Sequence, residues 1–158
     1  MSWPSGYCSD CKEPCDYKYS WGYEKSHGLE EVDGNLLCPD CKKEKLLKDA
    51  KQLKLYILVK ESMLEKDFGH TILSIAHAMA AGSRNWSGQE IFENWANESF
   101  RKVLCKVTDK QFEKAKTYFP EDEFQVMTEC AIDDEELTIV FKPRKDWPGF
   151  FRSLKLLK

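Results

Sequence analysis

The residues best equipped for chemistry fall in two places. The first is a pair of knuckles, C-S-D-C at 8–11 and C-P-D-C at 38–41. Two thiolates at this spacing grip one ion through a tight turn, and two such turns complete a tetrahedral sulfur shell. Soft ligands in that geometry select zinc, with an iron–sulfur centre as the lesser option. Cys8, Cys11, Cys38 and Cys41 are therefore the expected ligands of a structural zinc ion, since four protein ligands leave no open position for catalysis. Cys15 and His27 lie between the knuckles, and spacing alone leaves open whether either replaces one of the four. A segment this short needs the metal in order to fold.

The second place is G-H-T-I-L-S-I-A-H-A-M-A-A-G, residues 69–82. Wound as a helix, it puts His70, Ser74 and His77 on one face. A neutral imidazole at position 70 can act as acid, base or acceptor, and the amides at a helix start favour anions. His70 is thus a candidate general base and ligand contact, with Ser74 a second contact. As a nucleophile Ser74 would need exposure and an oxyanion site. His77, set among Ile75, Ala76, Ala78 and Met79, is expected to be half-buried and bonded to backbone.

A basic stretch near the end, K-P-R-K-D-W-P-G-F-F-R-S-L-K-L-L-K, adds Lys142, Arg144, Lys145, Arg152, Lys155 and Lys158 against Asp146 alone. Lys142, Arg144 and Lys145 are candidate phosphate contacts. Trp147, Phe150 and Phe151, interleaved among these cations, either stack on bases or pack inward.

Certain elements must position these groups. Tyr- and Trp-rich sequence between the knuckles suits a short β-ribbon, and V-D-G-N places a hairpin turn at Asp33-Gly34 ahead of the second knuckle. Residues 42–54 carry six Lys against Glu44 and Asp49, with leucines at helical spacing. This basic helical linker either faces solvent or extends a phosphate-contacting surface. Beyond it, K-L-Y-I-L-V-K reads as a strand, Phe68 to about Ala81 as a helix closed by Gly82, and G-Q-E-I-F-E-N-W-A-N-E as a second helix after an N-W-S-G loop. A strand at F-R-K-V-L-C-K-V-T and a helix at D-K-Q-F-E-K-A-K-T-Y-F follow. Two strands, E-F-Q-V-M-T-E-C and E-L-T-I-V-F-K, flank an acidic turn, and W-P-G-F-F-R-S-L-K-L-L-K is a terminal helix. Trp86 and Trp95 are expected to pack around the second helix, and Cys105 and Cys130 to be core thiols.

This order predicts an α/β fold: a three-layer sandwich with a four-stranded mixed sheet, plus a small N-terminal zinc ribbon. The expected domains are a ribbon at 1–44, a linker at 45–53 and a main domain at 54–158. At 158 residues the chain can bury a core without disulfides. An odd seven Cys, CxxC spacing and a start lacking a basic-then-apolar leader point to metal in a reducing, cytoplasmic setting. No apolar run approaches the roughly 20 residues of a membrane span. The net charge of −3 makes no general electrostatic case for nucleic acid, so any such case rests on local patches.

Four stretches, Y-I-L-V-K-E-S-M, G-H-T-I-L-S-I-A-H-A, N-E-S-F-R-K-V-L-C-K-V-T-D-K-Q-F-E-K-A and F-F-R-S-L-K-L-L, together resemble the type II peptidyl-tRNA hydrolases from about Lys54 to Lys158. The resemblance implies the three-layer fold, a tRNA partner and cleavage of the ester joining peptide to tRNA. In that family a lysine follows the glycine that opens the first helix, and a glutamine comes four residues later. Here these positions hold His70 and Ser74, while Gly69 and His77-Ala78 match the family. The family's later acidic-alanine-glycine loop falls in T-E-C-A-I-D-D-E-E-L, which lacks the glycine; Glu129, Asp133 and Asp134 supply carboxylates there.

Three functions follow. One is a zinc-containing module that binds RNA or another anionic ligand without the family's catalysis. Another is an active hydrolase of peptidyl-tRNA or a related RNA-linked ester, using His70 with Glu129. The third is a protein-interaction adaptor, acting on translation or in conflict between virus and host.

Overall fold

The computed structural model describes residues 6–7, 9–10, 14–15, 30–129 and 134–158. The chain divides into two compact units, Met1–Asp49 and Ala50–Lys158.

In the first unit, β1 (Gly6–Tyr7) pairs antiparallel with β2 (Pro14–Cys15), and β3 (Glu30–Val32) with β4 (Asn35–Leu37). The β3–β4 turn is the expected one. Asp33 and Gly34 both take positive φ, 50° and 75°, the two left-handed residues that a tight hairpin with right-twisted strands requires. Helix α1 (Pro39–Ala50) follows at once, with Pro39 at its first position, where a missing amide costs nothing. Its lysines are tied to the hairpin. Lys42 pairs with Glu30, and Lys45 meets Asp33 at 3.1 Å and the carbonyl of Val32 at 3.3 Å. The aromatic stretch expected to form a ribbon, residues 17–28, lies outside the described residues.

In the second unit, a five-stranded mixed sheet has the order β7-β8-β5-β6-β9. Central β5 (Lys54–Lys60) is parallel to β6 (Arg101–Val107) and antiparallel to β8 (Glu135–Phe141), which pairs with β7 (Phe124–Glu129). Five consecutive residues of β5, Leu55 to Val59, are buried because helices cover both of its faces. On one face Leu55, Ile57, Val59 and Val140 pack under Ala78, Trp86, Phe92 and Trp95 from α3 (Phe68–Trp86), α4 (Glu90–Asn94) and the π-helical turn Trp95–Ser99. On the other face Tyr56, Leu58, Cys105, Ile139 and Phe141 meet Phe112 of α5 (Asp109–Lys116) and Phe151 of α6 (Gly149–Arg152). Trp86 and Trp95 pack as expected.

Several details depart from the sequence reading. The sheet has five strands, not four, because the terminal helix stops after Arg152 and Lys155–Leu156 forms β9 along the outer edge of β6. That ladder, extended by the Leu157 amide bonding the Leu104 carbonyl at 2.9 Å, satisfies backbone groups that β6 would otherwise present at an edge. Gly82 does not end α3. The helix runs on to Trp86, and a Cβ at position 82 would lie 2.8 Å from the Trp86 ring, so the glycine makes room for the indole one turn later. A short helix α2 (Glu61–Lys66), absent from the sequence reading, intervenes between β5 and α3. No helix among the described residues is long and apolar enough to cross a membrane.

Candidate functional site

The start of α3 is built by one carboxylate. Where α2 ends, Asp67 breaks the helix at φ −150° and ψ 88° and becomes the N-cap of α3. Its Oδ1 accepts the His70 amide at 3.1 Å, and its Oδ2 lies 2.8 Å from His70 Nδ1. This is ordinary N-cap chemistry extended to a side chain. The pair perturbs itself in both directions. The His70 amide and then its ring hold the Asp67 carboxyl below its usual range. The Asp67 hydrogen bond, then its charge, raise the His70 imidazole above 6.5. Glu129, at the end of β7, adds a smaller upward push, which brings the two catalytic candidates within electrostatic reach of each other. His70 is exposed, and Phe68 and Leu73 beside it are exposed apolar residues.

Ser74 turns its hydroxyl into the core instead of toward a ligand. It is 1% exposed, donates to the Thr71 carbonyl at 2.7 Å and meets Thr138 Oγ1 of β8 at 2.5 Å. Thr71 in turn bonds the carbonyls of Asp67 at 2.6 Å and Met63 at 3.1 Å. These three buried hydroxyls fasten α3 to β8 and to the end of α2. His77, expected to be half-buried, is exposed. The packed face of α3 follows Thr71, Ser74, Ala78, Gly82 and Trp86, which leaves residue 77 on the flank.

The basic residues also sort differently from the expected ligand set. Lys142, Arg144 and Lys145 follow β8, and Arg144 bridges to Lys54 at the beginning of β5, whereas His70 follows its end. The length of β5, about 20 Å, separates them. Arg144 is consumed locally: its guanidinium pairs with Glu123 and lies 3.7 Å from the Phe119 ring centroid. Trp147 and Phe151 are buried against Phe141 and Tyr56, so they serve the core. Burial pushes the Cys105 thiol up to about 11, as befits an inert core residue, and Cys130 lies outside the described residues.

The carboxyl ends of β5 and β6 form a charged rim. Lys60 approaches Asp109 at 4.0 Å, Lys106 meets Glu61 at 2.9 Å and Lys66 meets Glu135 at 3.8 Å. In open α/β sheets this is the edge at which ligands bind. Sequence reasoning missed Asp67, although an acid three residues before His70 is a capping signal. It also missed Lys106, hidden in what reads as an ordinary strand.

The second knuckle straddles the beginning of α1. Cys38 precedes the helix and Cys41 occupies its first turn, with the Lys42 amide bonding the Cys38 carbonyl at 2.8 Å. Both side chains are partly buried. The Ser9 amide, from within the first knuckle, bonds the carbonyl of Leu36, two residues before Cys38, at 2.8 Å. Cys8, Cys11 and His27 lie outside the described residues, as does the Cys15 side chain. Among the described residues no three His, Cys, Asp or Glu side chains gather into a metal-sized group.

No protein-family model matches the chain, and no curated protein matches it.

Proposed function

We propose that the second unit is a divergent relative of the type II peptidyl-tRNA hydrolases that binds an RNA-linked anionic ligand without the family's hydrolysis, and that the first unit is ordered by a structural zinc ion held by Cys8, Cys11, Cys38 and Cys41. The observation that carries the binding reading is the Asp67–His70 pair, with its 2.8 Å contact. The resemblance puts a lysine at this position. An imidazole kept protonated to higher pH by Asp67 retains a cationic N–H donor, at Nε2, where the lysine offered its ammonium. A protonated imidazole donates to a phosphate or carbonyl oxygen but cannot take a proton from water. The burial of Ser74 removes its hydroxyl from any role as nucleophile.

Titrating labelled tRNA into the purified chain tests this reading. A saturable complex that weakens with salt is expected, and absence of a complex at low salt would overturn it.

The hydrolase reading is favoured by one observation, the electrostatic proximity of Glu129 to His70. Under it, His70 works as a general base in its neutral form, and turnover rises as pH passes above its pKa. Peptide release that disappears in His70→Ala would establish that reading in place of ours.

A further inference from the structure

We propose that Lys106, Lys155 and Lys158 form a groove for the phosphodiester backbone of RNA, which starts at the rim of the sheet that carries His70 and runs back from it along β9. The proposal rests on the RNA reading above and names where the polymer docks. Lys106 and Lys155 stand directly opposite each other in the antiparallel ladder of β6 and β9. Like charges in that register repel and destabilise the pair, so the arrangement calls for a counter-charge. Lys158, two residues beyond β9, brings a third cation, and together with Leu156 the three line an open cleft of about 480 Å³. Lys106 has Glu61 at 2.9 Å. Among the described residues neither Lys155 nor Lys158 has an ion-pair partner. The groove therefore holds more positive than negative charge in a chain whose net charge is −3.

A polymer fits better than a single phosphate. Lys102 lies on the same face of β6 as Lys106, about 13 Å away along the strand. Its ammonium sits 3.0 Å from the Phe100 ring centroid, and that ring is 61% exposed. Cations spaced along a strand supply the charge that a polymer backbone needs. From β9 across the sheet to β7 is four strand spacings, about 19 Å, so a chain held at the lysines can span the rim to His70.

The test compares wild type with Lys106→Gln/Lys155→Gln/Lys158→Gln, using fluorescence anisotropy of labelled tRNA and of a single-stranded RNA at several salt concentrations. The triple variant should bind at least 10-fold more weakly, with a salt slope smaller by about two to three. The corresponding Lys→Arg triple should retain both affinity and slope. Lys155→Gln/Lys158→Gln alone, in the last four residues, should give an intermediate loss and guards against a folding defect in the triple variant. Wild-type affinity in the Gln triple would overturn the groove while leaving RNA binding intact. No RNA binding by the wild type would overturn both. Binding of the wild type to phosphatidylserine vesicles but not to RNA would assign the lysines to a membrane surface and overturn the proposal.

Discussion

Asp67 does two jobs through one carboxylate, capping α3 and setting the charge of His70. The pH dependence follows from the signs. The folded-state pKa of His70 lies above its ordinary 6.5, so its contribution to stability is complete below that value and is lost as pH rises through the raised pKa. Asp67 is shifted below its ordinary 3.8, so its contribution is present above that value and is lost as pH falls through the lowered pKa. Thermal melts should therefore show the cap at full strength between about pH 4 and 6.5, and Asp67→Asn should flatten the profile on both sides. RNA affinity should decline as pH rises through the His70 pKa, and Asp67→Asn should move that decline to lower pH. Ser74→Ala belongs to a different class. It leaves the Thr138 hydroxyl short of a partner in the core and should cost about 1–3 kcal/mol in denaturant melts, with RNA affinity unchanged. The sequence marked His70 as a polar group at a helix opening, but its partner is a through-space fact. Residues 70, 74 and 77 look equivalent on a helical wheel, and only the position of β8 shows that the middle one faces inward.

At the scale of elements, the strands were the most legible part, because β5, β6 and β8 are short runs of apolar and β-branched residues bounded by breakers. What sequence could not supply were features decided by a neighbour. Gly82 reads as a stop signal, yet here it is a gap that Trp86 fills. Ala at this position would gain roughly 1 kcal/mol of helix propensity but would press on a buried indole anchored by Nε1 to the Asp122 carbonyl at 3.1 Å. Overpacking should win, and Gly82→Ala is expected to lower stability by about 1–3 kcal/mol in a denaturant melt. The terminal S-L-K-L-L-K has helical periodicity and becomes strand because β6 has an edge to be paired. Helix α5 starts at Asp109, where the sequence puts it, and Thr108 and Gln111 form a reciprocal capping box there.

At the scale of the whole molecule, the two units have different sources of stability. The second has a double-faced core of its own. Among its described residues the first has short hairpins, a helix and few buried side chains, Leu37 among them, and under the function proposed above a zinc ion supplies its order. Metal analysis of the wild type should find one zinc equivalent, and Cys38→Ser should abolish it while the second unit still melts cooperatively. A variant that kept one zinc would count against the ligand set. The central claim, that the second unit holds an RNA-linked ligand and leaves its ester intact, is tested most directly by a single-turnover reaction with protein in excess over peptidyl-tRNA. The tRNA should be bound and its ester should survive at the rate seen without protein. Release of free peptide that is lost in His70→Ala would contradict it.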